Sequence, residues 1–220
     1  MRTSGFLSLG VAALALSACV EIDATHMSSS YLERYAMAAP TLAQFPECRG
    51  FGCAVTSRVS LNKEEWRRVV AVFRPPAKDA QEERQRVARA VAVMELLVGR
   101  KTGSAAHQWT HKDMIISRNH GDKTQLDCID TSVNTWTYLT MMDRDGLLRF
   151  HRVDKLAHVD DLLNMRNTAV LEEKTSGDRF AIDPSLVDTG VPPPIMPIAV
   201  WLGSWPPNIK LAETRVDIGK

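Results

Sequence analysis

Hydrophobic and polar residues along the middle of the chain follow the spacing of three amphipathic helices. Asn62 and Glu65 stand three residues apart, as in a capping box, and an apolar stripe follows them through residues 62–75. A second stripe with helical spacing occupies residues 79–99 and ends at a glycine. A third helix is predicted over residues 127–142, although several β-branched threonines lower its intrinsic propensity. We interpret these stripes as surfaces that face a core.

The pattern then changes to that of strands. We predict a polar loop over residues 100–124, a strand around residues 147–153 and a hairpin over residues 167–183. Thr175-Ser176-Gly177 forms the predicted hairpin turn, and residues 198–203 form a short last helix. Helices that precede an antiparallel sheet along the chain predict an α+β fold.

The N-terminus has the layout of a secretory signal. Arg2 supplies a positive charge, residues 6–16 are apolar, and small residues stand directly before Cys19. The apolar stretch is far shorter than the roughly 20 residues that a membrane-spanning helix needs. We therefore predict a signal peptide over residues 1–18.

A cysteine at this place distinguishes a lipobox from an ordinary signal. The segment Leu16-Ser17-Ala18-Cys19 resembles the substrate site of the prolipoprotein-processing pathway. The resemblance implies that lipid on Cys19 holds the chain on a membrane, since two or three acyl chains anchor a protein stably. Val20, rather than Asp, stands after the cysteine, and this favours the outer membrane over the inner, with the protein facing the periplasm. The alternative is an ordinary signal peptide with a cysteine nearby.

Length and charge limit the possible roles of the processed chain. Removal of residues 1–18 leaves about 200 residues, enough for one domain, and takes the formal net charge from +1 to 0. We predict a tether over residues 19–45, including a short helix near Ser30, and one domain over residues 46–220. A neutral chain has no basic excess for nucleic acid and no polybasic patch for acidic lipids.

The remaining cysteines have different predicted roles. Cys48 and Cys53 flank a loop with two glycines, so a disulfide between them is sterically easy, and an oxidising periplasm favours it. A metal site is the alternative, but no CxxC motif or histidine cluster accompanies the pair. Cys128 is then the unpaired thiol, and an odd cysteine in an exported protein indicates a reactive group.

Three histidines lie in the polar loop at His107, His111 and His120. Their spacing matches no established ligand set, so we interpret them as solvated side chains. We predict neither a metal nor a cofactor.

Cys128 stands at the predicted start of the third helix. The free N–H groups and the helix dipole at that end stabilise a thiolate and lower the thiol pKa. The alternative is an inert cysteine buried on a helix face.

Three short segments carry a resemblance to a known family. Residues 126–130 (LDCID), 167–170 (NTAV) and 180–184 (FAIDP) resemble the bacterial transglutaminase-like cysteine peptidases, and the likeness covers roughly residues 60–205. In that family a Cys-x-Asp opens a helix, a His begins a strand and an Asp ends the next strand. The resemblance implies a papain-like α+β fold with helices packed on an antiparallel sheet.

The resemblance also assigns the site residues. It places the nucleophile at Cys128 and the carboxylate at Asp183, but it places the base at Asn167, which cannot take up a proton. His158 and, less favourably, His151 are substitute candidates for the base.

Hairpin geometry gives a check on this assignment. If residues 175–177 form a three-residue loop, Lys174 pairs with Asp178 and Ala169 lies opposite Asp183. Asn167 and Asp183 would then share a face of the sheet.

Two functional hypotheses are consistent with these features. One is a membrane-anchored thiol hydrolase or acyl-transferase that acts on peptide or amide bonds of an envelope substrate. The other is a binding or scaffolding lipoprotein on the same fold that has lost its base. The histidine nearest Cys128 separates them.

Overall fold

The computed structural model describes residues 39–107, 122–159, 165–203 and 205–219. The predicted signal peptide, Cys19 and most of the predicted tether lie outside these residues.

The described residues form helices, strands and two short 3-10 turns, and the predicted helices and hairpin occur among them in the predicted order. The helices are α1 (Lys63–Val72), α2 (Ala80–Thr102), α3 (Cys128–Arg144) and α4 (Ile198–Leu202). The strands are β1 (Phe45–Arg49), β2 (Val55–Val59), β3 (His151–Val153), β4 (Ala157–Val159), β5 (Arg166–Glu173), β6 (Arg179–Ile182) and β7 (Ile195–Pro197). Within the described ranges, no helix has the length and apolarity needed to cross a membrane.

The strands form two antiparallel groups. β1 and β2 make a separate hairpin, while β3, β5, β6 and β7 lie side by side in a larger sheet. β4 also pairs with β5, beyond the end of β3. Helices packed with antiparallel sheets confirm the α+β prediction.

The helix ends agree closely with the sequence signals. Asn62 and Glu65 form the predicted capping box at the start of α1. α2 continues to Thr102, three residues beyond the predicted end at Gly99. Gly99 lies inside the helix, and its role is in packing: the backbone of Ala105 is so close that an added Cβ would meet it at 2.5 Å. Gly103, with φ of 91°, adopts the left-handed conformation that ends the helix.

β5 separates two layers of side chains. Its residues Ala169 and Leu171 join the main core, which also includes Val133 of α3. Val170, one position along, faces a smaller cluster around Trp201 of α4. Since side chains alternate across a strand, odd-numbered positions of β5 face the main core and even-numbered positions face α4. This alternation decides which residues meet Cys128.

A small polar cavity lies between β1, α2 and α3. Its volume is about 10 Å³, which is room for one water molecule. The lining includes Glu47, Glu95, Ser104, Thr131, Asn134, Thr135, Tyr138 and Thr189.

Two glutamates line this cavity and are its titratable carboxyl groups. Glu47 is 1% exposed, and its Oε1 accepts hydrogen bonds of 3.2 Å from the hydroxyls of Thr102 and Ser104. Glu95 accepts a bond of 2.8 Å from the backbone N–H of Gly190. Burial raises the pKa of Glu47 to about 7 and that of Glu95 to about 8, against the lowering influence of nearby arginines. The cavity therefore holds two carboxyl groups that titrate near neutral pH.

Candidate functional site

Cys128 is the first residue of α3, where the sequence predicts it. Asp127 caps the helix, accepting from the N–H groups of Ile129 and Asp130, and the Asp130 carboxylate accepts from the N–H of Asp127. This reciprocal pair fixes the first turn of the helix, and with it the Cys128 backbone.

The Cys128 thiol is more strongly protonated than a helix N-terminus alone would make it. Burial raises its pKa from 9.0 to about 11, and the negative charge of Asp127 contributes to the increase, while a hydrogen bond from Asn167 opposes it. The direction is opposite to the expected lowering: desolvation is the largest cause, and the charges of Asp127 and Asp183 add to it. Cys128 is a thiol at neutral pH.

Asn167 of β5 lies directly against the sulfur. Its Nδ2 donates to Cys128 Sγ at 3.6 Å, and its Oδ1 lies 2.9 Å from Nδ1 of His158. Since Oδ1 can only accept, His158 Nδ1 carries the hydrogen of that bond. The carboxamide thus stands between the thiol and the imidazole.

The pairing of β4 with β5 brings His158 to this place. His158 lies directly opposite Asn167 in the antiparallel register, and paired residues share a face of the sheet. Three of the four residues predicted for the site therefore meet, namely Cys128, Asn167 and His158. His151, the other substitute candidate, is fully buried on β3 and lies 2.9 Å from Glu83.

The hairpin between β5 and β6 differs by one position from the predicted register. Ala169 pairs with Ile182, and the N–H of Glu173 bonds the carbonyl of Asp178. The loop consequently has four residues instead of three. Lys174 is unavailable to pair with Asp178 because its backbone N–H donates to Phe150 on the β3 side.

This shift removes Asp183 from the Cys128 face. The observed register, continued by one position, places Asp183 opposite Thr168 and on the face of α4. Its Oδ2 accepts a hydrogen bond of 2.7 Å from Trp201 Nε1, and its Oδ1 accepts from the N–H and hydroxyl of Ser185. The prediction that Asn167 and Asp183 share a face is therefore wrong, and Asp183 orients α4 instead of a base.

Burial of Asp183 raises the pKa of its carboxyl, although the bonds from Ser185 and Trp201 oppose the shift. Arg166 extends this group: its guanidinium donates to the Trp201 carbonyl at 2.8 Å and lies 4.7 Å from the ring centroid of Trp205. The Asp183–Trp201 contact could not be predicted from the sequence, because no local pattern connects residues on a strand end and a later helix.

The predicted disulfide between Cys48 and Cys53 is confirmed. Both cysteines are almost fully buried, at 0% and 1% exposure. Cys128 is the free cysteine of the described residues.

Of the three loop histidines, His111 and His120 lie outside the described residues. His107 is 5% exposed, and its Nδ1 lies 2.5 Å from Oε1 of Gln125, so the solvated interpretation is wrong at this position. Within the described part of the chain, no group of three or more His, Cys, Asp or Glu side chains is placed to hold a metal ion.

The described site contains a thiol, a carboxamide and an imidazole in a row. The group in contact with sulfur, the Asn167 carboxamide, cannot remove a proton. Comparison with protein-family models, curated proteins and solved structures found no match to the chain.

Proposed function

We propose that the chain is a lipid-anchored protein of the bacterial envelope whose transglutaminase-like, papain-like domain binds a partner without cleaving it. The observation that carries this proposal is the contact between Asn167 Nδ2 and Cys128 Sγ. A carboxamide holds the position beside the sulfur that a general base occupies in thiol hydrolases.

Two further features support a binding role. The thiol has a pKa of about 11, so only a minute fraction is thiolate at neutral pH. The Asp183 carboxyl, which the family resemblance assigns to orienting the base, is bonded to Trp201 and Ser185 instead. Neither the activation of the nucleophile nor the orientation of a base is supplied in this arrangement.

The family resemblance itself is supported by layout. Cys128 begins a helix that packs on β5. β5 presents Asn167 to the sulfur, and His158 of β4 contacts the Asn167 carboxamide. A helix-borne cysteine that faces an antiparallel sheet is the arrangement expected of the family.

A thiol peptidase or amidase is the second candidate, and His158 is the observation that favours it. Its imidazole is bonded to the same carboxamide that contacts the sulfur. With the Asn167 side chain rotated away and the imidazole hydrogen on Nε2 instead of Nδ1, His158 Nδ1 would take the Cys128 proton and return it to a leaving amine. Backbone N–H groups at the start of α3 would then hold the oxyanion of an envelope peptide or amide.

The pH dependence of Cys128 alkylation separates the two candidates. For a binding protein we expect the iodoacetamide rate to rise with a single apparent pKa near 11, because the buried thiol has no basic partner. His158→Ala should leave this profile unchanged. An apparent pKa below the ordinary value of 9.0, raised again by His158→Ala, would instead support the peptidase.

Anchoring is tested independently at Cys19. Cys19→Ser should release the protein from membrane fractions or leave the precursor uncleaved, because the acyl acceptor is gone. A matched change at a cysteine remote from the signal, Cys128→Ser, should leave processing unaltered. Normal processing and membrane association of Cys19→Ser would contradict lipidation.

A further inference from the structure

The disulfide loop, residues 48–53, has an unusual backbone. Gly50, Phe51, Gly52 and Cys53 are four consecutive residues with positive φ, of 80°, 67°, 63° and 58°. The left-handed region costs a residue other than glycine roughly 1–2 kcal/mol, so Phe51 and Cys53 stay there only because their surroundings require it.

The surroundings that hold the loop are the two carboxylates at the start of α3. The N–H of Phe51 donates to Asp130 at 2.9 Å, that of Gly52 to Asp127 at 2.8 Å and that of Cys53 to Asp130 at 2.7 Å. Successive N–H groups in this conformation converge into an anion-binding concavity. Here the groups that accept from the concavity are the carboxyl groups of Asp127 and Asp130, on either side of Cys128.

Both ends of the disulfide loop are attached to the same segment. The Asn134 side chain accepts from the N–H of Cys48 at 2.7 Å and donates to its carbonyl at 2.8 Å. The N–H of Gly50 donates to the carbonyl of Gln125 at 2.7 Å. The disulfide loop therefore lies along the start of α3, from Gln125 just before the helix to Asn134 in its second turn.

We propose that the disulfide loop is a positioning clamp for Cys128, acting through Asp127 and Asp130. It holds the first helical turn closed and keeps the thiol half-buried and protonated. The proposal concerns the state of the thiol, so it does not depend on whether Cys128 is catalytic.

Asp130 is the residue through which the clamp acts most directly. It is fully buried and accepts two of the three N–H groups from the loop, in addition to that of Asp127. Its replacement by Asn keeps the size but turns an amide donor toward one of these N–H groups, which breaks that bond. Without these bonds to the loop, we expect the first turn of α3 to open and Cys128 to become more exposed. Its pKa should then fall, because burial is the largest cause of the raised value.

The test compares Asp130→Asn with Asp143→Asn, the same change near the far end of α3. We expect Asp130→Asn to lose amide hydrogen-exchange protection at Phe51 and Cys53. We also expect its Cys128 alkylation profile to move from about 11 toward the ordinary value of 9.0. At pH 8 each unit by which the pKa falls increases the thiolate fraction about tenfold. The more acidic thiolate is also a weaker nucleophile, so we expect alkylation at pH 8 to be about tenfold faster in total. Asp143→Asn should match the wild type in both measurements.

Loss of amide protection with an unchanged alkylation profile would overturn the proposal, since the clamp would then have no effect on the thiol. Retained protection in Asp130→Asn would overturn it as well. Should that variant fail to fold, the double variant Cys48→Ala/Cys53→Ala makes the same comparison with no change of charge. It must show the faster alkylation for the proposal to stand, and a wild-type rate refutes it.

Discussion

Asn167→His should convert Cys128 from a protonated thiol into a nucleophile. An imidazole in place of the carboxamide would sit beside Sγ and form a thiolate–imidazolium pair, which typically lowers a cysteine pKa to about 7.5 or below. Burial and Asp127 oppose this, so we expect the apparent pKa to fall from about 11 to about 8. Because a more acidic thiolate is less nucleophilic, the net gain in alkylation rate at pH 7 is about 30-fold. The measurement is the iodoacetamide rate from pH 6 to pH 11.

Asn167→Ala is the matched control, since it removes the amide hydrogen bond without adding a base. Asn167 is 4% exposed, so the larger ring costs about 1–3 kcal/mol of stability, which urea unfolding of both variants will report. Equal alkylation rates for the His and Ala variants would show that an imidazole at position 167 does not activate the thiol. Cleavage of peptide amides by the His variant alone would indicate that the site departs from an enzyme by this one residue.

Stability should fall as the pH rises from 5 to 8.5, the reverse of the usual behaviour of carboxyl groups. Glu47 and Glu95 have folded-state pKa values of about 7 and about 8, above the ordinary 4.5. Between 4.5 and these values the unfolded chain releases protons that the folded protein retains, so the free energy of unfolding decreases as pH rises. At a slope of up to about 1.4 kcal/mol per pH unit for each proton, these two groups together give an expected loss of up to about 6 kcal/mol.

Urea unfolding of Glu47→Gln/Glu95→Gln tests the assignment. Glutamine does not titrate, so the double variant should lose less stability across the same range, with a residual slope from Asp130 and Asp183, whose pKa values are also raised. Glu213→Gln, at an exposed position, should keep the wild-type slope. A slope in the double variant equal to that of the wild type would show that the cavity glutamates do not cause it.

The sequence could predict features that depend on neighbouring residues. The capping box of Asn62 and Glu65 and the start of α3 at Cys128 are set by side chains reaching backbone groups two or three positions away. The disulfide was predictable for the same reason, because five positions separate its cysteines.

The register of the β5–β6 hairpin could not be predicted from neighbouring residues alone. A three-residue loop and a four-residue loop are both compatible with residues 174–178, and the choice depends on the bond from Lys174 to Phe150, which lies beside another strand. One position of register is enough to move Asp183 from the Cys128 face to the α4 face. The partner of Asp183 was accordingly missed, although the residue itself had been selected.

By itself, the sequence determined the helix starts, the disulfide, the order of the main helices and the hairpin, and the absence of a base at Asn167, because each depends on residue type and short spacing. Only the tertiary structure decided the environment of Cys128. The carboxamide of Asn167 and the clamp from residues 48–53 come from segments far from Cys128 in the chain, while the Asp127 charge comes from the adjacent residue. Desolvation and charge act through space, so the pKa of this thiol depends on packing and cannot be derived from the helix position alone.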